Sequence, residues 1–155
     1  MAIYLLALLI GVVAGLRAMT APAVVSWAAC CGWLNLQGSW LAFLGHAWAP
    51  WILSLLALGE LVTDQLPRTP SRTVPVQFGT RIVTGAACGA ALAFAGGTPW
   101  IGGLVAGAIG AVAGTLGGRA ARAKLAAAFG RDRPAALLED IVAIGGAVLV
   151  VAAAT

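Results

Sequence analysis

Residues 16–22 read LRAMTAP and interrupt an apolar run that extends from Ile3 to about Ala29. Arg17 lies ~21 Å along a helix begun at Ile3, and Trp27 marks an interface ~15 Å beyond it. A guanidinium at that depth costs at least ~2.5–3.5 kcal/mol unless it is paired or hydrated, so the side chain is expected to face the protein interior. Pro22 cannot sit in a helix interior without removing a backbone hydrogen bond. The stretch therefore reads as a broken helix whose freed carbonyls lie near the arginine. The other reading of Arg17 is a side chain that snorkels to an interface.

The rest of the chain has the composition that such a helix needs. Its 155 residues are 61% hydrophobic and 9% charged, with a mean hydropathy of +0.99, against roughly 25% charged residues in soluble domains. A cleaved signal peptide is the competing reading of the N-terminus. Met1–Tyr4 carries no Lys or Arg, however, and the apolar run is too long for a signal-peptide core. The expected fold is an all-α integral membrane protein of about five transmembrane helices in one domain, 1–155. The spans are placed at about Ile3–Ala28, Ala47–Asp64, Thr80–Phe94, Trp100–Gly118 and Ala135–Ala154. The net charge of +4 does not suggest nucleic acid, because the basic residues form two short clusters beside apolar helices without aromatic interleaving.

Those clusters set the expected orientation. Arg68, Arg72 and Arg81 follow the second span, and Arg119, Arg122, Lys124, Arg131 and Arg133 follow the fourth, so both loops are expected in the cytoplasm. Five spans then put the N-terminus in the cytoplasm and the C-terminus outside. Trp33, Trp40, Trp48, Trp51 and Trp100 fall near the outer connections, as an aromatic belt requires.

Glycines recur at small-xxx-small spacing: Gly103, Gly107, Gly110, Gly114 and Gly118, then Gly11/Gly15 and Gly85/Gly89. Such a stripe lets helix backbones approach closely, so a glycine zipper is expected. GVVAGLRA (11–18) also echoes GAVAGTLGGRAARA (110–123). Read as an inverted repeat, the halves are 1–66 and 99–155, joined by a reversing helix at 80–95, and spans one and four run antiparallel. Shared composition alone explains the same echo. Five short helices leave little interior for a pathway, so a homodimer is expected.

The second span ends in the most charged stretch of the chain. Glu60 and Asp64 lie ~20 and ~26 Å along it, one turn apart on one face. Two carboxylates so spaced suit a cation or proton site, since like charges one turn apart are relieved by a shared cation or proton. Arg17 can reach toward Glu60, and this is the expected buried pair. Glu139 and Asp140 begin the fifth span at a similar depth, and Asp64 and Asp140 also read as solvated helix ends. An ion or small-solute site of Arg17, Thr20, Glu60, Asp64 and Glu139 follows. Arg68, Ser71, Arg72, Arg119 and Arg122 form a second candidate set, for an anion or a lipid headgroup, beside Pro67, Pro70 and Pro75.

GLRAMTAPAVVSWAA, ELVTDQLPRTPSRT and RIVTGAACGA together resemble a bacterial family of small multispanning membrane proteins known as a domain of unknown function. Its most specific segment is Glu-x-x-x-Asp-x-Leu-Pro-x-Thr-Pro-Ser-Arg. The resemblance covers essentially the whole chain; it implies an inner-membrane location and supplies no activity.

Enzyme chemistry finds little purchase. His46 is the only histidine, and no catalytic triad, metal-ligand spacing or Cys-x-x-Cys occurs, so no metal or cofactor is expected. Cys30, Cys31 and Cys88 read as small apolar thiols. Transport of an ion or small solute is the leading expectation. Binding, flipping or modification of a phosphorylated lipid is the alternative, and a structural membrane subunit is the third reading.

Overall fold

The computed structural model of the chain describes residues 1–66 and 71–155. Among these residues there are six α-helices and no strand: α1 Ala2–Leu16, α2 Thr20–Cys30, α3 Ala49–Thr63, α4 Pro75–Ala95, α5 Trp100–Phe129 and α6 Asp132–Ala154. A 3₁₀ turn at Ala42–Gly45 lies between α2 and α3. The helices α4, α5 and α6 are long and apolar enough to cross a membrane, whereas α1, α2 and α3 have 15, 11 and 15 residues. At ~1.5 Å per residue none of those three alone covers the ~30 Å hydrocarbon core.

The expected break is present, and Pro22 explains its place. Arg17 is extended (φ −141°, ψ 111°), and α2 restarts at Thr20, which puts Pro22 in the first turn, where a missing N–H costs nothing. The path after the break corrects the sequence reading. Trp27 packs edge-on against Trp51, with ring centroids 5.1 Å apart, and donates its indole N–H to Ser54 Oγ at 3.0 Å, while Glu60 meets Ala18 and Met19. Thus α2 and α3 are antiparallel. Beyond α2, Trp40 packs against Trp100 at 6.2 Å, and Tyr4 Oη donates to Pro99 O at 3.4 Å. Both ends of the α1–α2 pair therefore lie at one end of the molecule, and the pair is a helical hairpin with Arg17 at its tip, in place of one continuous helix.

Two further expectations change with it. Ile3 lies against Gly96, Tyr4 against Gly102 and Leu16 against Gly118, so α1 and α5 run parallel. The antiparallel relation on which the inverted repeat depends is absent. In turn, α6 runs from Asp132 beside Arg122, past Asp140 on Arg17, to Gly146 against Val13. Its C-terminus returns to the end that holds Met1, which corrects the expectation that the termini lie on opposite faces. We call this the tryptophan end and the opposite one the arginine end.

Glycine governs how α1, α4 and α5 meet. A methyl group on Gly107 would overlap the Gly85 backbone; on Gly110 it would overlap the Leu8 carbonyl, and on Gly114 the Val12 carbonyl. The loop before α3 folds back on the core, burying Leu34, Leu36, Leu41 and Leu44 in a cluster with Ile10, Val25 and Leu92. Two boundaries differ from the expected spans. Pro75 starts α4 five residues early, at a first-turn position suited to proline. RAARAKLAAAF, rich in strong helix formers, carries α5 on to Phe129, where Gly130 (φ +67°) closes it in the left-handed conformation.

Candidate functional site

A helix that breaks in a buried position leaves carbonyls unsatisfied on one side of the break and N–H groups on the other. Here both sets are met by charged side chains. Glu60 accepts the Ala18 N–H on Oε1 and the Met19 N–H on Oε2, each at 2.9 Å. Arg81 donates to the Gly15 carbonyl at 2.8 Å and the Leu16 carbonyl at 2.7 Å, and the Thr115 hydroxyl lies 3.2 Å from the same Gly15 oxygen. An anion thus sits at the start of α2 and a cation at the end of α1, each matching the helix dipole. Arg81 and Glu60 also approach each other, at 3.3 Å.

Arg17, fully buried, occupies the break itself and forms ion pairs with Asp64 from α3 and Asp140 from α6. The expected Arg17–Glu60 pair is therefore replaced by a carboxylate on either side of the guanidinium, with Glu60 committed to the backbone and Arg81. Asp64 and Asp140 are ligands of Arg17 and not solvated ends. Arg72, also buried, grips Glu139 with both terminal nitrogens and lies 3.9 Å from Asp64. Arg122 holds Asp132 in a two-pronged contact (2.9 and 2.5 Å) and stands 3.6 Å from Glu139.

All five carboxylates of the chain are engaged in this lattice by four arginines, Arg17, Arg72, Arg81 and Arg122. Taking such groups out of water costs several kcal/mol per ion, and only mutual pairing offsets it. The lattice is better understood as fixing where α1 turns than as a source of net stability. Arg17 Nε and Arg81 Nε are buried without a partner among the described residues.

Of the other expected site residues, Thr20 is buried at the start of α2. Ser71 is exposed and lies 2.9 Å from Thr73 Oγ1; Arg119, also exposed, reaches the same Thr73 oxygen at 3.3 Å. Arg72 is occupied by Glu139 and so is not open to a headgroup, which corrects that assignment. Arg68 lies outside the described residues. Sequence reasoning missed Arg81, Asp140 and Thr115 as parts of the site. Arg81 was legible in principle: a helix begun at Pro75 carries it six residues inside, out of the loop.

A cleft of about 380 Å³ opens beside the hairpin tip, lined by Met19, Glu60, Asp64, Val76, Gln77 and Arg81 among others. A second cavity, of about 560 Å³, lies at the other end of α2, lined by Ala29, Asn35, Gln37 and His46 among others. Between them α2 buries Ala21, Val25, Ser26 and Ala28. Among the described residues no cluster of three or more His, Cys, Asp or Glu side chains is arranged to hold a metal ion.

The family model for a domain of unknown function, DUF4126, matches residues 4–155, and the chain belongs to that family. No curated protein and no solved structure matches the chain.

Proposed function

We propose that the protein is a small membrane transporter or channel for an ion or small solute, with α2 as the element along which the solute passes. The observation that carries this reading is the placement of two cavities at the two ends of a short buried helix, one of them beside Glu60, Asp64 and Arg81. Discontinuous helices whose ends face a polar cavity are how many transporters bind solute near the membrane middle. Close glycine packing of α1, α4 and α5 supports a rigid frame against which α2 and α3 shift.

All charged side chains lie at Arg17, within 60–81 or within 119–140, so the arginine end takes the cytoplasmic side by the positive-inside rule. In a bacterial inner membrane this orientation puts both termini and the tryptophan-rich loop outside. The phosphorylated-lipid reading loses support as a catalytic or flipping site, since Arg72 already holds Glu139.

The test is flux in proteoliposomes across a panel of monovalent ions and small neutral solutes. Wild-type protein is expected to carry at least one of them. Glu60→Gln keeps the size of the side chain but removes its charge and one of its two backbone contacts, and it is expected to lower that flux about tenfold or more. Folded wild-type protein that moves nothing would reject transport in favour of the structural reading.

A further inference from the structure

With every carboxylate committed to Arg17, Arg72, Arg81 or Arg122, the uncompensated charge among the described residues is gathered in one place. Among the described residues no ion pair joins Arg119, Lys124, Arg131 or Arg133 to an acidic side chain, and all four are exposed at the arginine end. Arg119 differs from the other three in having polar company. Its guanidinium meets Thr73 Oγ1 at 3.3 Å, and Thr73 shares a hydroxyl contact of 2.9 Å with Ser71.

The hydrogen-bond count leaves donors to spare. One of the two hydroxyls donates to the other, so one hydroxyl hydrogen is free to turn outward. Arg119 has five N–H groups, of which Thr73 takes one. The cluster is thus rich in donors, positively charged and open.

Its depth identifies the ligand. Trp100 packs with Trp40 at the interface of the tryptophan end. Arg119 follows 19 residues later on the same unbroken helix, ~28 Å away and close to the ~30 Å thickness of the hydrocarbon core. Arg119 therefore lies where the phosphates of the opposite leaflet lie. We infer that Ser71, Thr73 and Arg119 form a headgroup site for an anionic phospholipid at the arginine end. Ser71 and Thr73 flank Arg72, which clamps Glu139, so a lipid phosphate held there also steadies the segment that carries Arg72 into the lattice.

Native mass spectrometry of the protein released from nanodiscs of equal phosphatidylglycerol and phosphatidylcholine tests this. Phosphatidylglycerol is expected to be retained preferentially, and Arg119→Gln to reduce that preference about fivefold to tenfold. Lys124→Gln makes the same charge change at an exposed position without the hydroxyls and is expected to reduce it less than about twofold. Thr73→Val supplies a second variant should Arg119→Gln fail to fold, with a loss of about threefold expected. Equal losses in Arg119→Gln and Lys124→Gln would mean diffuse attraction and overturn the site. Displacement of the bound lipid by millimolar inorganic phosphate would make it a small-anion site and overturn the lipid assignment.

Discussion

Toward the tryptophan end, α1, α4 and α5 touch through Gly11, Gly89, Gly103 and Gly107 with almost nothing between their backbones, and no charged side chain is near. At the arginine end the same three helices are joined by Arg81, Thr115 and the Arg17 ion pairs to α3 and α6. The difference follows from what the backbone does at each end. Where helices run unbroken, every internal N–H and C=O is satisfied within the helix, and close van der Waals contact is enough to hold neighbours in lipid. Where α1 stops and α2 restarts, backbone groups are freed in a buried position, and side chains must satisfy them. Charge appears only where the chain turns, whereas close glycine contacts run along the helices up to that turn, Gly15 and Gly118 included.

The largest expected effect falls on the tip. Arg17→Ala strands Asp64 and Asp140 together, and it is expected to cost about 3–5 kcal/mol, read as loss of the folded protein or a large drop in thermal unfolding temperature in detergent. Arg17→Lys is expected to rescue only part, because an ammonium cannot present a planar fork to two carboxylates. A mild Arg17→Ala would mean that the turn is set by Pro22 and packing alone.

A smaller effect is expected in the glycine frame. Gly114→Leu pushes a side chain into the Val12 carbonyl, whereas Ala113 is exposed, so the leucine at 114 is expected to cost about 1–3 kcal/mol more than one at 113. Equal melting temperatures for the two variants would remove close α1–α5 contact as a source of stability. The smallest effect is expected at the solvated edge of the lattice. Asp132 is 60% exposed, and Asp132→Asn is expected to change stability by about 0–1 kcal/mol despite its two-pronged contact with Arg122.

The comparison also explains what the sequence made legible. Helical class, the break at LRAMTAP and the interior position of Arg17 all rest on local features: hydropathy, a buried charge and a proline. The direction of α2 does not. A break is compatible with continuing across the membrane or with turning back, and the choice depends on α3 and α4 delivering Glu60 and Arg81 to the two sides of the break. Partner identity was hidden for the same reason. Glu60 and Asp64 are one turn apart in sequence terms, yet one caps α2 and the other pairs with Arg17. Arg81 was read as a topology signal because the start of α4 at Pro75 was not seen.

Whether α1 and α2 re-enter or span is the point on which the charge lattice, the orientation and the transport reading all depend. Labelling by a membrane-impermeant thiol reagent, from either face of sealed vesicles, measures it directly. Single cysteines are needed at Ala2→Cys, Ala127→Cys and Thr155→Cys in a background free of the native thiols, together with a variant that keeps only exposed Cys31. Positions 2, 31 and 155 are expected to react from one face and position 127 from the other. Reaction of positions 2 and 31 from opposite faces would make residues 2–30 a spanning segment and contradict the hairpin.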